Sequence, residues 1–145
     1  MFRHMLIPTD GSELASAALE KSVALAAEMH AKVTFLVVTE PFRTLSTEAA
    51  QIERVKEEFK QYMKDRADGY LQWATNTATS RKVESDPLQV EHEHPYQAII
   101  ETARSRGCDV IAMGSHGFSG MKAVVLGSVT QKVLTHCNIP VLVYR

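Results

Sequence analysis

Gly114-Ser115-His116-Gly117, followed nine residues later by Gly127-Ser128, is the stretch of this chain richest in chemical content. An apolar, strand-like run (Val110, Ile111, Ala112, Met113) precedes it, and a helical one (Val129, Val133, Leu134) follows. Glycines at a strand end let the backbone turn tightly and approach a bulky anion. A serine at a helix start sits among unpaired amide N–H groups, at the positive end of the helix dipole. Together these residues describe a phosphate cradle built mostly of backbone. A second group, Pro8-Thr9-Asp10-Gly11, closes another short apolar run, Met5-Leu6-Ile7. Asp10 suits ribose hydroxyls better than phosphates, and turn or helix-capping chemistry equally favours an aspartate there. There is no GxxxxGK[ST], and no GxGxxG opens the first helix, which excludes a P-loop ATPase.

The elements that must position these groups alternate along the chain. Met5–Ile7 reads as a buried strand, and Ser12 caps a helix carried by Leu14, Ala18, Leu25 and Met29 to about His30. Lys32–Thr39 is β-branched and nearly continuous, as in a strand covered on both faces. Ile52, Val55, Phe59, Met63, Tyr70, Leu71 and Ala74 fit one long amphipathic helix, with Tyr70 and Trp73 packing it onto a sheet. Leu88, Val90 and His92 alternate behind Pro87, which suits an edge strand. Pro95 opens a helix that Gly107 ends. Strand Asp109–Met113, helix Ser128–His136 and strand Val141–Tyr144 complete the order βαβαβαβαβ. That order predicts an α/β fold, a doubly wound parallel sheet with helices on both faces. Ligands of such sheets sit beyond the carboxyl ends of the strands, where the strand order reverses.

The 145 residues are expected to form one domain, 1–145. Hydrophobic residues make up 45% and charged ones 23%, an ordinary globular balance. A net charge of -1 shows no basic excess, so nucleic acid is not an expected partner. No apolar run approaches the roughly 20 residues that a membrane span needs, and Met1-Phe2-Arg3-His4 enters a strand without a signal-peptide stretch. Cys108 and Cys137 form no CxxC pair, so a reduced cytoplasmic protein is expected rather than a redox-active pair.

Gly114-x2-Gly117-x9-Gly127-Ser128 resembles the glycine motif of ATP-binding universal stress proteins. Ile7-Pro8-Thr9-Asp10-Gly11-Ser12, Cys108–Gly114, Gly127-Ser128-Val129-Thr130 and Ile139-Pro140-Val141-Leu142-Val143 are similar in type and spacing too. The resemblance spans essentially the whole chain and is loosest in the long helix. It implies a single universal stress protein domain with a Rossmann-like, adenine nucleotide alpha hydrolase-like sheet of five parallel strands in the order 3-2-1-4-5. It also implies that Thr9, Asp10 and Val38 surround adenine and ribose, that Met113, Gly114 and Gly117 line the nucleotide, and that Gly127, Ser128 and Val129 hold phosphates. The ligand would be ATP with Mg2+, and the assembly a homodimer through Val141–Tyr144, an apolar edge that invites pairing on its own account. One departure is Glu93, which stands near a position where a glycine is common in the family; pointing into the cleft it would weaken triphosphate binding or favour a metal, and pointing outward it would change nothing.

The remaining polar residues have plainer readings. His92 and His94, with Glu91 or Glu93 near, permit a shared metal, but two ligands do not make a site, and none is assigned. His116 and Lys122 can contact phosphate or stay solvated, and Lys132 and His136 suit a helix C-terminus. Phosphoryl transfer needs a positioned water, a metal and dedicated cationic stabilisation, so no catalytic residue is assigned and at most slow ATP hydrolysis is expected. The expected function is a cytoplasmic ATP-binding sensor or regulator in the stress response. The alternative is a dimeric interaction module with a vestigial cleft. A phosphoacceptor signalling domain would need acidic residues at several strand ends and a lysine after the last strand, where this chain has Tyr144-Arg145.

Overall fold

A computed structural model describes residues 1–43, 48–116 and 126–145. β1 (His4–Pro8), β2 (Lys32–Thr39), β3 (Ser85–Glu91), β4 (Val110–Gly114) and β5 (Val141–Tyr144) form one sheet. Its order is β3-β2-β1-β4-β5, parallel throughout. Between the strands run α1 (Glu13–Met29), α2 (Ala49–Ser80), α3 (Pro95–Ser105) and α4 (Ser128–His136). The expected topology, 3-2-1-4-5, is the observed one.

Side-chain alternation divides the core into two layers. Met5, Ile7, Val33, Phe35, Val37, Val110 and Ala112 face α1 and α2, where Leu19, Val23, Leu71 and Ala74 meet them. Leu6, Leu36, Ile111 and Met113 face α3 and α4, where Ile99, Ala103 and Val133 meet them. This is why β1 and β2 read as unbroken apolar runs: a parallel strand with a helix layer on each face has no solvent side. β3 is an edge strand and tolerates Pro87, paired with Phe35 in register, because its outer N–H row has no ladder partner to lose.

α2 departs from expectation in its first half. Ala67, Leu71, Ala74 and Ala78 are buried, but Val55 is 48% exposed; in the second half Trp73, off the buried stripe, is 39% exposed. The helix is long enough to overhang the carboxyl edge of the sheet, so the apolar spacing upstream of Ala67 has no full core to enter. Tyr70 alone of the expected aromatic pair packs inward, against the α1–α2 layer.

At the opposite edge, His4 is buried and shares a 2.8 Å hydrogen bond between Nε2 and Thr34 Oγ1. Burial first, then the charge of Lys32, hold its imidazole below the ordinary value of 6.5. Burial would raise the Asp109 carboxyl, but the N–H groups of Arg3 and His4 donate to it at 2.9 and 3.0 Å and bring it below its ordinary value. Cys108 and Cys137 are both free thiols, and burial, then Asp109, push Cys108 up to about 11, which keeps it a neutral thiol.

His4 makes stability pH-dependent with a definite sign. Above the ordinary imidazole value both folded and unfolded chains leave it neutral, and its packing is intact. As pH falls through that value the unfolded chain takes up the proton first, so stability drops. Urea unfolding from about pH 7.5 to about pH 5.5 should show the decline, and His4→Gln, which retains a polar partner for Thr34, should flatten it. Equal slopes in the two proteins would exclude His4 as the source.

Candidate functional site

The strand order reverses between β1 and β4, whose carboxyl ends lie side by side. From β1 the chain turns through Thr9, Asp10 and Gly11 into α1. The Thr9 N–H donates to the Leu36 carbonyl at 2.9 Å, tying the turn to β2. Thr9 Oγ1 accepts from the Gly11 N–H at 3.2 Å, Asp10 Oδ1 from the Ser12 N–H at 2.9 Å, and Ser12 Oγ from the Ala15 N–H at 3.2 Å. Asp10 therefore does the work of a turn residue with one oxygen, while its Oδ2 accepts no hydrogen bond among the described residues. The half-buried side chain leaves that second oxygen available to hydroxyl donors.

From β4 the chain leaves at Gly114 and Ser115 and returns at Gly127. The Ser115 N–H donates to the Tyr144 carbonyl, and the Gly127 N–H to the Ser115 carbonyl, each at 2.7 Å. Thr130 Oγ1 donates to the Gly114 carbonyl at 2.9 Å, fixing the start of α4 to the end of β4. The Thr130 role was hidden in the sequence, where its position behind Gly127-Ser128 was the only signal. Gly127 is the N-cap of α4 and brings no side-chain cap. The first intrahelical bond runs from the Gln131 N–H to the Gly127 carbonyl, so the N–H groups of Ser128, Val129 and Thr130 precede the ladder. Ser128 is exposed and Val129 half-buried.

On the α3–α4 face, Val38 and Val129 pack against the cluster that contains Met113. Three residues far apart in sequence thus belong to one apolar cluster on the α3–α4 side of the sheet. Gly114 points elsewhere. A Cβ there would lie 3.5 Å from the Leu14 carbonyl oxygen and 3.7 Å from Ala18 Cβ, facing α1 at ordinary contact distance. What Gly114 offers the α4 side is its carbonyl. Gly117 and Lys122 lie outside the described residues.

Among the described glycines of the site Gly11 is left-handed, with φ of 77°, and Gly127 has an ordinary φ of -59°. A Cβ on Gly11 would run into the Tyr70 ring. That ring is itself held by Arg66, whose Nη2 donates to the Tyr70 hydroxyl at 2.7 Å. The sequence marked Gly11 only as a turn former, since its contact with α2 is tertiary.

Glu93 is exposed in the turn between β3 and α3, where water screens its charge. His92 is committed locally: its Nδ1 accepts the His94 N–H at 2.8 Å, and its Nε2 lies 3.8 Å from Glu101 Oε2. His116 Nδ1 and Ser115 Oγ are 2.9 Å apart. Lys132 and His136 face α3 through Tyr96, at 5.4 Å and 5.2 Å from its ring. Among the described residues no group of three or more His, Cys, Asp or Glu side chains could hold a metal.

A doubly wound parallel α/β domain with a crevice at its switch point is the class that this fold and site define. The model of the universal stress protein family matches residues 1–145, and the chain belongs to that family. Universal stress protein YxiE of Bacillus subtilis is 32% identical over the full length of both proteins. Universal stress protein MJ0577 of Methanocaldococcus jannaschii is 30% identical over all of this chain and 96% of the relative. The solved structure of MJ0577 superposes with a TM-score of 0.83, covering 99% of this chain and 95% of that one. A universal stress protein from Archaeoglobus fulgidus, solved in complex with dAMP, shares the fold at a TM-score of 0.65 and 18% identity, over 100% of this chain and 98% of that one.

The two site glycines should respond differently to a methyl group. Gly11→Ala combines a left-handed φ with a clash against Tyr70 and is expected to lower stability by about 1–3 kcal/mol. Gly114→Ala is expected to change it by less than about 1 kcal/mol. Urea unfolding of both variants measures the contrast, and the reverse ranking would contradict the geometry.

Proposed function

We propose that this chain is a cytoplasmic, ATP-binding universal stress protein, a homodimeric sensor or regulator in the stress response rather than a dedicated enzyme. The observation that carries the reading is the uncapped start of α4, which Thr130 fixes to the end of β4, with Val38 and Val129 half-buried against the apolar cluster of that side of the sheet. Unladdered N–H groups at a helix start suit phosphates, and apolar side chains beside them suit an adenine ring. On this reading Thr9, Asp10 and Val38 surround adenine and ribose, with the free Asp10 oxygen on the sugar. Met113, Gly114 and Gly117 line the nucleotide, and Gly127, Ser128 and Val129 take the phosphates. The Ser128 hydroxyl would help hold a Mg2+-bound phosphate. That another family member was solved with dAMP concerns that protein; here the support is the donor set of this chain.

These residues include no arginine or lysine to neutralise a transferred phosphoryl group, so any hydrolysis should be slow. The dimer would form through β5, the outermost strand beyond β4, whose Val141, Leu142, Val143 and Tyr144 are all half-buried in the single chain. Pairing two such strands would cover an edge that otherwise presents unpaired N–H and C=O groups.

Calorimetric titration with MgATP should give about one site per chain, and Ser128→Asp should weaken it at least roughly tenfold by setting a carboxylate against phosphate. The same change should leave the melting temperature unchanged or raised, since an acidic residue at a helix start favours the dipole. Absence of binding at millimolar MgATP would favour the interaction module with an empty cleft. Sedimentation should report a dimer that Leu142→Lys converts to monomer, and a monomeric parent protein would refute the β5 interface.

A further inference from the structure

The sheet-facing stripe of α2 changes character along its length. Ala67, Leu71, Ala74 and Ala78 pack on the sheet as small or apolar residues. Carrying the same helical spacing toward the N-terminus reaches Lys56, Phe59, Lys60, Met63 and Lys64. All five line a cavity of about 280 Å³ between α2 and the carboxyl ends of β2 and β3. Like charges at i, i+4 spacing destabilise a helix by about 0.2–0.5 kcal/mol per pair. Here three lysines sit so spaced on the face that elsewhere builds core.

The cavity has a floor and two walls of opposite sign. Phe42 and Phe59, with ring centroids 5.4 Å apart, join Met63 as half-buried apolar surface. The helix wall carries the lysines; Lys64 pairs with Asp68 at 3.9 Å, leaving Lys56 and Lys60 without an ion pair among the described residues. The strand wall carries Glu40 and Glu91, which likewise have none among the described residues. Thr39 and Gln89 lie between, Gln89 Nε2 donating to Thr39 Oγ1 at 3.4 Å. Two uncompensated positive charges against two negative ones suit neither a simple anion nor a simple cation.

This cavity is separate from the β1–β4 crevice. Thr39 and Gln89 alternate with Val38 and Val90, which pack toward α3 and α4, so the cavity opens on the opposite face of the sheet.

We propose that this cavity binds a small zwitterion with an apolar body, an apolar or aromatic amino acid. Its carboxylate meets Lys56 and Lys60, its ammonium meets Glu40 and Glu91, and its side chain lies on Phe42, Phe59 and Met63. The lysine stems add apolar contact along the helix wall. Ligand binding here would anchor the overhanging half of α2 to β2 and β3, a second input to the protein that does not compete with the cleft.

The test is titration of the ¹⁵N-labelled full chain with L-phenylalanine, followed by amide shifts, with phenylacetate and phenethylamine as analogues lacking one charge each. Saturable shifts at Thr39, Phe59 and Gln89 are expected, with each analogue about two- to fivefold weaker, as exposed charge pairs warrant. Lys56→Gln/Lys60→Gln and Glu40→Gln/Glu91→Gln should each weaken L-phenylalanine binding by the same roughly two- to fivefold. All four positions are exposed, so circular dichroism should show both variants folded. No saturation by roughly 10 mM, equal binding of phenylacetate, or indifference to both double variants would overturn the proposal.

Discussion

Met5, Leu6 and Ile7 are 0%, 0% and 1% exposed, on a parallel strand with β2 on one side and β4 on the other. Closing both faces of β1 requires a helix layer above and another below, so the chain must wind outward from β1 in two directions. That reversal leaves the loops after β1 and β4 diverging, with a crevice between them. The position of the cleft follows from the burial of one strand, before any residue in the cleft is considered.

The cleft is assembled from parts with separate physical duties. Thr9, Asp10 and Ser12 hold the first turn by side-chain to backbone hydrogen bonds, and the second Asp10 oxygen accepts none among the described residues. Thr130 and Ser115 hold the second loop to β4 and β5, so α4 begins at a determined place with its N–H groups unladdered. Among the described residues the fold thus sets backbone donors at the start of α4 close to the end of β4.

α2 divides the molecule's chemistry between its halves. Where it lies on the sheet its stripe is alanine and leucine, and where it overhangs, the same stripe turns to lysine, phenylalanine and methionine. Tyr70 marks the boundary, reaching across to Gly11 at the turn that carries Asp10.

The run Met5–Ile7, the unbroken Lys32–Thr39, Pro87 at an edge and Pro95 at a helix start dictated the order of elements and the doubly wound class. They could do so because strand and helix periodicity, capping and proline restriction are local properties. The glycine and serine spacing from Gly114 to Ser128 likewise marked the family, which the match over residues 1–145 bears out. Other features depend on what a residue meets across the fold. That Gly114 faces α1, that Gly11 carries the left-handed backbone under Tyr70, and that Val55 and Trp73 are exposed are all consequences of long-range contacts. Helical spacing told which side chains of α2 share a face, but only the length of the neighbouring strands decided how much of that face finds a sheet to cover it.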